Sequence, residues 1–261
     1  MNTKAKKTSK INKPSLFWLL TEGGRALLEY GTYFPYHFLR KNRKSGDGHV
    51  VLVLPGFMAT DYSTRPLRRY LLRIGYTPYG WDIGRNFANE GYMDILLDRV
   101  EELYEEKNDK ISLIGWSLGG VFARQLGKKK PHLIRQIITL GSPFSGISLP
   151  NHASAVYKFI TNGKTTNDID PFLMADLPNP APVPTTAIYS KEDGVVPWQA
   201  CMEKQESAIH QNVQVRGSHF GLGVNPTVLE IIADRLQYKE EYWVPFKANT
   251  KVEEMLFYPS V

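Results

Sequence analysis

The chain has 261 residues, 42% of them hydrophobic and 22% charged, enough for one substantial α/β core with a small insertion. Its single cysteine, Cys201, excludes an intramolecular disulfide framework and a cysteine-based zinc cluster, and it fits a reducing compartment. The formal charge of +6 is confined to one end: residues 1–47 carry ten basic and three acidic side chains, against 22 basic and 23 acidic in the rest. The body is therefore nearly neutral, and no nucleic-acid partner is expected.

In that first segment, read as a basic extension over residues 1–47, the surplus lies in Lys4, Lys6, Lys7, Lys10 and Lys13 and in Arg40, Lys41, Arg43 and Lys44. These clusters flank an apolar, aromatic stretch over residues 16–39. Its leading block, residues 16–20, is too short for a signal-peptide core and no small-residue cleavage site follows it. Charges at Glu22, Arg25 and Glu29 argue against a bilayer span. Two readings compete: a helix packed on the body, which the pattern favours, or a surface segment whose lysines meet anionic headgroups while Phe17, Trp18 and Leu20 enter the interface. The expected location is cytoplasmic, with peripheral membrane contact through this segment as the second reading.

From His49 onward the periodicity alternates between strand and helix. Strands are predicted at residues 50–54, 77–81, 111–114 and 134–140, and helices at 64–74, 92–106 and 121–130. Continuous apolar strands between amphipathic helices imply a mostly parallel sheet of about six strands with helices on both faces. A core over residues 48–142 and 185–240 follows, interrupted at 143–184 by a proline-rich stretch with one helix predicted near 153–160. There Phe144, Ile147, Phe159, Phe172, Leu173 and Met174 either line an acyl pocket or pack the insertion down. Further strands are predicted at 185–189 and 213–215, and residues 241–261 read as a tail.

Chemistry concentrates at Gly115-Trp116-Ser117-Leu118-Gly119, where an apolar strand runs into a helix through a tight turn. Small residues on both sides let strand and helix close around Ser117 and lift its hydroxyl outward. Asp193 follows 76 residues later, in the turn Glu192-Asp193-Gly194-Val195-Val196-Pro197 just past a predicted strand. His219 comes 26 residues after that, in Gly217-Ser218-His219-Phe220-Gly221 past the next one. Serine, acid and histidine thus each stand at the C-terminal end of a strand, where open parallel sheets gather their functional groups. Each also has a bland reading, Ser117 as a helix N-cap and Asp193 as a turn initiator, and Glu192, Asp168 and Asp170 are rival acids.

On Leu54-Pro55-Gly56-Phe57, Gly115-Trp116-Ser117-Leu118-Gly119, Asp193-Gly194-Val195-Val196-Pro197 and Gly217-Ser218-His219, the chain resembles the α/β-hydrolase family and its lipase and esterase-like members, over roughly residues 48–237. The resemblance implies an α/β-hydrolase fold with a small lid insertion, Ser117 as nucleophile, His219 as general base and Asp193 as its orienter. It further implies backbone N–H donors for an oxyanion at Leu118 and at Phe57. Many relatives carry His-Gly where this chain has Pro55-Gly56, which leaves Met58 as a competing donor. The expected activity is hydrolysis of a carboxylic ester with an apolar acyl group, on a small-molecule or lipid substrate. A thioesterase or acyltransferase would use the same triad, and a noncatalytic binding protein could use the same fold. No HExxH, paired CxxC or P-loop occurs, so no metal or nucleotide cofactor is called for. Asp82 and Arg85, after another strand, are expected to pair with each other.

Overall fold

A computed structural model describes residues 13–39, 46–89, 91–146 and 171–260. Six strands form one sheet in the order β2-β1-β3-β4-β5-β6, every neighbouring pair parallel. They are β1 (Val50–Leu54), β2 (Thr77–Tyr79), β3 (Ile111–Trp116), β4 (Ile134–Leu140), β5 (Thr185–Ser190) and β6 (His210–Val215). Among the described residues the α-helices are α1 (Leu16–Leu39), α2 (Asp61–Arg73), α3 (Tyr92–Lys107), α4 (Leu118–Lys129), α5 (Pro171–Asp176), α6 (Pro226–Leu236) and α7 (Lys251–Phe257). This is the parallel, two-faced architecture that the apolar runs predict.

Alternation along each strand divides the core between the two faces. Val51 and Val53 of β1 join Leu67 and Leu71 of α2 and Val228, Ile231 and Ile232 of α6 on one side. Val50, Leu52 and Leu54 join Leu96, Val100 and Leu103 of α3 and Ala123 and Leu126 of α4 on the other. Strand order reverses direction between β1 and β3, and the crevice above such a reversal is where open α/β sheets hold ligands.

Strand boundaries depart from the predicted ones where side chains take over backbone amides. β2 stops at Tyr79 because the N–H groups of Trp81 and Asp82 donate to the two carboxylate oxygens of Asp61, each at 3.0 Å, instead of continuing the ladder. β6 begins at His210, three residues before the apolar run, because its polar side chains are satisfied inside. The Gln211 side chain bonds both the N–H and the C=O of Phe246, and Asn212 Nδ2 donates to the Glu203 carbonyl. The tail packs as well: Trp243, Phe246 and Tyr258 are buried, and the Ser260 hydroxyl accepts the Gln214 N–H of the sheet-edge strand β6.

Within the insertion, the helix predicted near 153–160, with Ile147, Phe159, Asp168 and Asp170, lies outside the described residues, as does the side chain of Phe172. Phe144 is buried with Val121, Leu177 and Ala187, and the guanidinium of Arg124 lies 3.8 Å above its ring, so Phe144 packs the core. Arg124 in turn meets Glu203 through two hydrogen bonds, with both side chains 1% exposed. Cys201 is buried, and desolvation pushes its thiol well above the ordinary range, which keeps it protonated and inert. Removing one member of the Arg124–Glu203 pair strands the other charge in the core. Glu203→Ala should therefore destabilise the chain by about 3–5 kcal/mol in denaturant titration, with an unchanged m-value.

Candidate active site

Ser117 sits between β3 and α4 at φ 53° and ψ −123°, a left-handed backbone that a non-glycine residue adopts only when its surroundings enforce it. Close approach is the enforcing condition. A Cβ added at Gly115 would lie 2.2 Å from Gly120 Cα, and one at Gly119 would lie 2.2 Å from the Leu54 carbonyl oxygen. No side chain fits at either position, so β3, β1 and α4 converge on bare backbone and the Ser117 side chain is driven out of the turn, partly exposed.

The two partners arrive from neighbouring strand ends. Asp193 follows β5, and one of its oxygens, Oδ1, accepts the N–H groups of Val195 and Val196 at 2.8 and 2.9 Å. Its other oxygen, Oδ2, lies 2.6 Å from His219 Nδ1. His219 follows β6, and its Nε2 lies 3.0 Å from Ser117 Oγ. A carboxylate can only accept, so Nδ1 carries the proton and the Nε2 lone pair faces the serine hydroxyl. The loops are tied to one another too: the Trp116 indole N–H donates to the His219 carbonyl at 3.0 Å, and the Ser190 hydroxyl donates to the Gly217 carbonyl at 2.7 Å.

Rival residues fall elsewhere. Glu192 faces Arg216 at 4.0 Å and takes no part in the Ser117–His219–Asp193 chain. His49 is buried between Asp47 and Ser112, and His210 bonds the Ala181 carbonyl, so both serve packing. The expected Asp82–Arg85 pair does not form: Asp82 lies 4.0 Å from Arg99, while Arg85 donates to the Met58 carbonyl at 2.7 Å. Asp82 lies on a left-handed turn, φ 58°, and its amide is held by Asp61, so the loop's course is set by tertiary partners rather than by the local sequence.

Beside the serine run residues 55–58, after β1. Gly56 is close enough that a Cβ there would sit 3.1 Å from Ser117 Cβ. The Met58 N–H donates to the Asn86 carbonyl at 2.7 Å, so that amide is committed to the neighbouring loop. Leu118 opens α4, where first-turn N–H groups have no intrahelical acceptor.

Two residues that the sequence reading treats only as obstacles to a membrane span belong to this region. Glu22 and Glu29 of α1 reach the turns carrying Gly194, Ser218, His219 and Phe220. The available signal was their spacing: with Ala26 and Tyr33 they form one stripe of an otherwise apolar helix. Burial opposes charge on His219, but the Asp193 carboxylate, by charge and by hydrogen bond, and the Glu22 carboxylate, by charge, outweigh it and hold the imidazole above its ordinary range. Burial raises Glu29 as well, against the hydrogen bonds from Ser218 and Asn225.

No group of three His, Cys, Asp or Glu side chains among the described residues is placed to hold a metal ion. A cavity of about 700 Å³ is lined in part by Asp47, Tyr76, Glu230, Phe246 and Tyr258 and not by Ser117. The NMR titration of the His219 ring should show a midpoint above the usual value of about 6.5, and Asp193→Asn should lower it, because burial then faces less opposing charge.

Comparison with known proteins agrees with this architecture. The profile of the family described as PGAP1-like alpha/beta domain matches residues 84–172, a stretch that encloses Ser117. The chain is 29% identical over 113 residues to the Homo sapiens protein named serine hydrolase BPHL, and the match spans 38% of each chain. Among solved structures, Aspergillus fumigatus lipase B superposes with a TM-score of 0.56 at 16% identity, over 74% of this chain and 53% of that one. The Paleococcus ferrophilus monoacylglycerol lipase does so with a TM-score of 0.52 at 14% identity, over 73% and 96%. With six parallel strands, helices on both faces and a serine on the turn after β3, the chain has the α/β-hydrolase fold.

Proposed function

We propose that the chain is a serine hydrolase that cleaves carboxylic esters bearing an apolar acyl group. The observation that carries this reading is the unbroken relay from Asp193 through His219 to the Ser117 hydroxyl, at 2.6 and 3.0 Å. His219 accepts the hydroxyl proton as Ser117 Oγ bonds to the acyl carbon, and the carbonyl oxygen becomes an oxyanion. The backbone N–H groups of Phe57 and Leu118 serve as its donors. Collapse expels the alcohol, which takes the proton from His219 and leaves an acyl-enzyme. Water, deprotonated by the same imidazole, then releases the acid and regenerates Ser117. Asp193 holds the tautomer throughout and offsets the imidazolium charge.

An apolar substrate that collects in membranes is consistent with the outer face of α1. Leu16, Phe17, Leu20, Leu27, Leu28 and Phe34 are all more than half exposed on this helix, which borders the histidine turn. Phe220, beside His219, is also exposed. None of the described helices is long and apolar enough to cross a membrane, so the contact proposed is with the surface: the apolar stripe enters the interface and the basic surplus of residues 1–47 meets anionic headgroups.

Ser117→Ala should lower ester turnover by about six orders of magnitude, and a fluorophosphonate probe should label the parent chain and not the variant. A panel of p-nitrophenyl esters and acyl thioesters of graded length would separate ester from thioester preference; substantial turnover by the variant would remove Ser117 from the mechanism. Vesicles containing phosphatidylserine should bind the protein at low salt and release it as salt rises, and Leu20→Asp with Leu27→Asp should weaken that binding while ester turnover in solution persists.

A further inference from the structure

Helix α1 is turned inside out by the usual measure. Its outward stripe is leucine and phenylalanine, and its inward stripe carries two carboxylates, on Glu22 and Glu29. Glu22 is 2% exposed. Its Oε1 accepts the Gly194 N–H at 2.8 Å and the His219 N–H at 3.2 Å, and its Oε2 accepts the Phe220 N–H at 3.3 Å. Arg25 donates to Oε1 at 2.9 Å and keeps the buried charge paired. Two turns along, Glu29 Oε1 accepts the Ser218 N–H at 2.9 Å and Asn225 Nδ2 at 3.1 Å, while Oε2 accepts the Ser218 hydroxyl at 2.5 Å. The helix backbone comes equally close: a Cβ at Gly194 would lie 2.5 Å from Leu19 N and 2.6 Å from the Trp18 carbonyl oxygen.

These amides lie in turns, outside any strand ladder, and a buried N–H without an acceptor is costly. Glu22 supplies acceptors to both turns at once, so the turn after β5 and the turn after β6 cannot drift apart without breaking bonds to one carboxylate. We infer that α1 is a working part of the site, in which Glu22 and Glu29 are positioning residues: Glu22 locks the Asp193 turn to the His219 turn and sets a second negative charge near the imidazole, and Glu29 holds the His219 turn through Ser218 and Asn225. This rests on the Ser117–His219–Asp193 reading and adds a fourth group to it, acting through His219. The charged groups facing that ring are Asp193 from the turn after β5 and Glu22 from α1; Arg25 is drawn onto Glu22, and Glu29 is held one residue away on Ser218.

The full chain carrying Glu22→Gln keeps the side-chain size and an amide carbonyl for two of the turn N–H groups but loses the charge. The midpoint of its pH profile for kcat/KM should fall by on the order of half a unit, less than removal of a direct partner produces. Glu22→Ala, which removes the acceptors as well, should lower kcat by about 10- to 100-fold with KM little changed, as expected when a reacting group is misplaced. A purely structural role predicts a lower melting temperature with the parent's midpoint and kcat in the folded fraction, and that result overturns the inference. Should the Glu22 variants fail to fold, Glu29→Gln decides: the expected loss is in kcat, and parental kcat overturns the role. Should the parent chain show neither ester turnover nor fluorophosphonate labelling, the functional reading fails separately. The His219 titration by NMR then still decides the clamp, since an unshifted midpoint in Glu22→Gln excludes it.

Discussion

Ser117 is held in a backbone conformation that its own side chain disfavours, and the arrangement of the sheet follows from keeping it there. The strain is sustained because β3 is buried on both faces and paired on both edges, while Gly115 and Gly119 allow α4 to descend directly onto the ends of β3 and β1. Everything else in the site is measured from that fixed hydroxyl. β5 and β6 lie progressively further along the sheet, so the turns after them must lean back toward β3 for Asp193 and His219 to connect. The Trp116 indole and the Ser190 hydroxyl are two of the bonds that hold them in that lean.

Helix α1 completes the same task from outside the sheet. Its position explains why a segment that looks like an appendage in the sequence buries one carboxylate and half-buries another, a costly act for any helix unless donors are waiting. The donors are the amides of the leaning turns, which the sheet itself leaves without acceptors. Helix and turns thus solve each other's problem. The apolar residues displaced to the outer face of α1 are the counterpart of that exchange, and they give the proposed membrane contact its physical basis.

The core of the fold and the segments that bring Ser117, Asp193 and His219 together are legible because each depends on local pattern. Short apolar runs rich in β-branched residues and bounded by turn signals suit buried strands, and the elbow, acid turn and histidine turn are short motifs in fixed chain order. What escaped notice depends on partners distant in sequence. The end of β2 is decided by the Asp61 carboxylate, and the early start of β6 by the burial of Gln211 and Asn212 against Phe246 and Glu203. Helix α6 has a weaker sequence signature, although Asn225-Pro226 is a sound start signal and the Asn225 side chain does accept the Thr227 N–H. Arg85 and Arg99 are chemically equivalent partners for Asp82, and only the placement of α3 selects between them. Glu22 and Glu29 are the sharpest case: a carboxylate that satisfies orphan amides and one that faces solvent are written with the same letter.

The bonds between α1 and the site join residues 172 to 198 positions apart. Such contacts have high loop-closure entropy and form late, since little local structure helps bring their ends together. Synthesis from the N-terminal side presents α1 well before the turns that receive it. In that interval the helix has an acidic stripe without donors and an oily stripe without cover, a condition that invites a chaperone or a lipid surface to hold it. The arrangement around His219 is complete only once α1 has met the turns after β5 and β6.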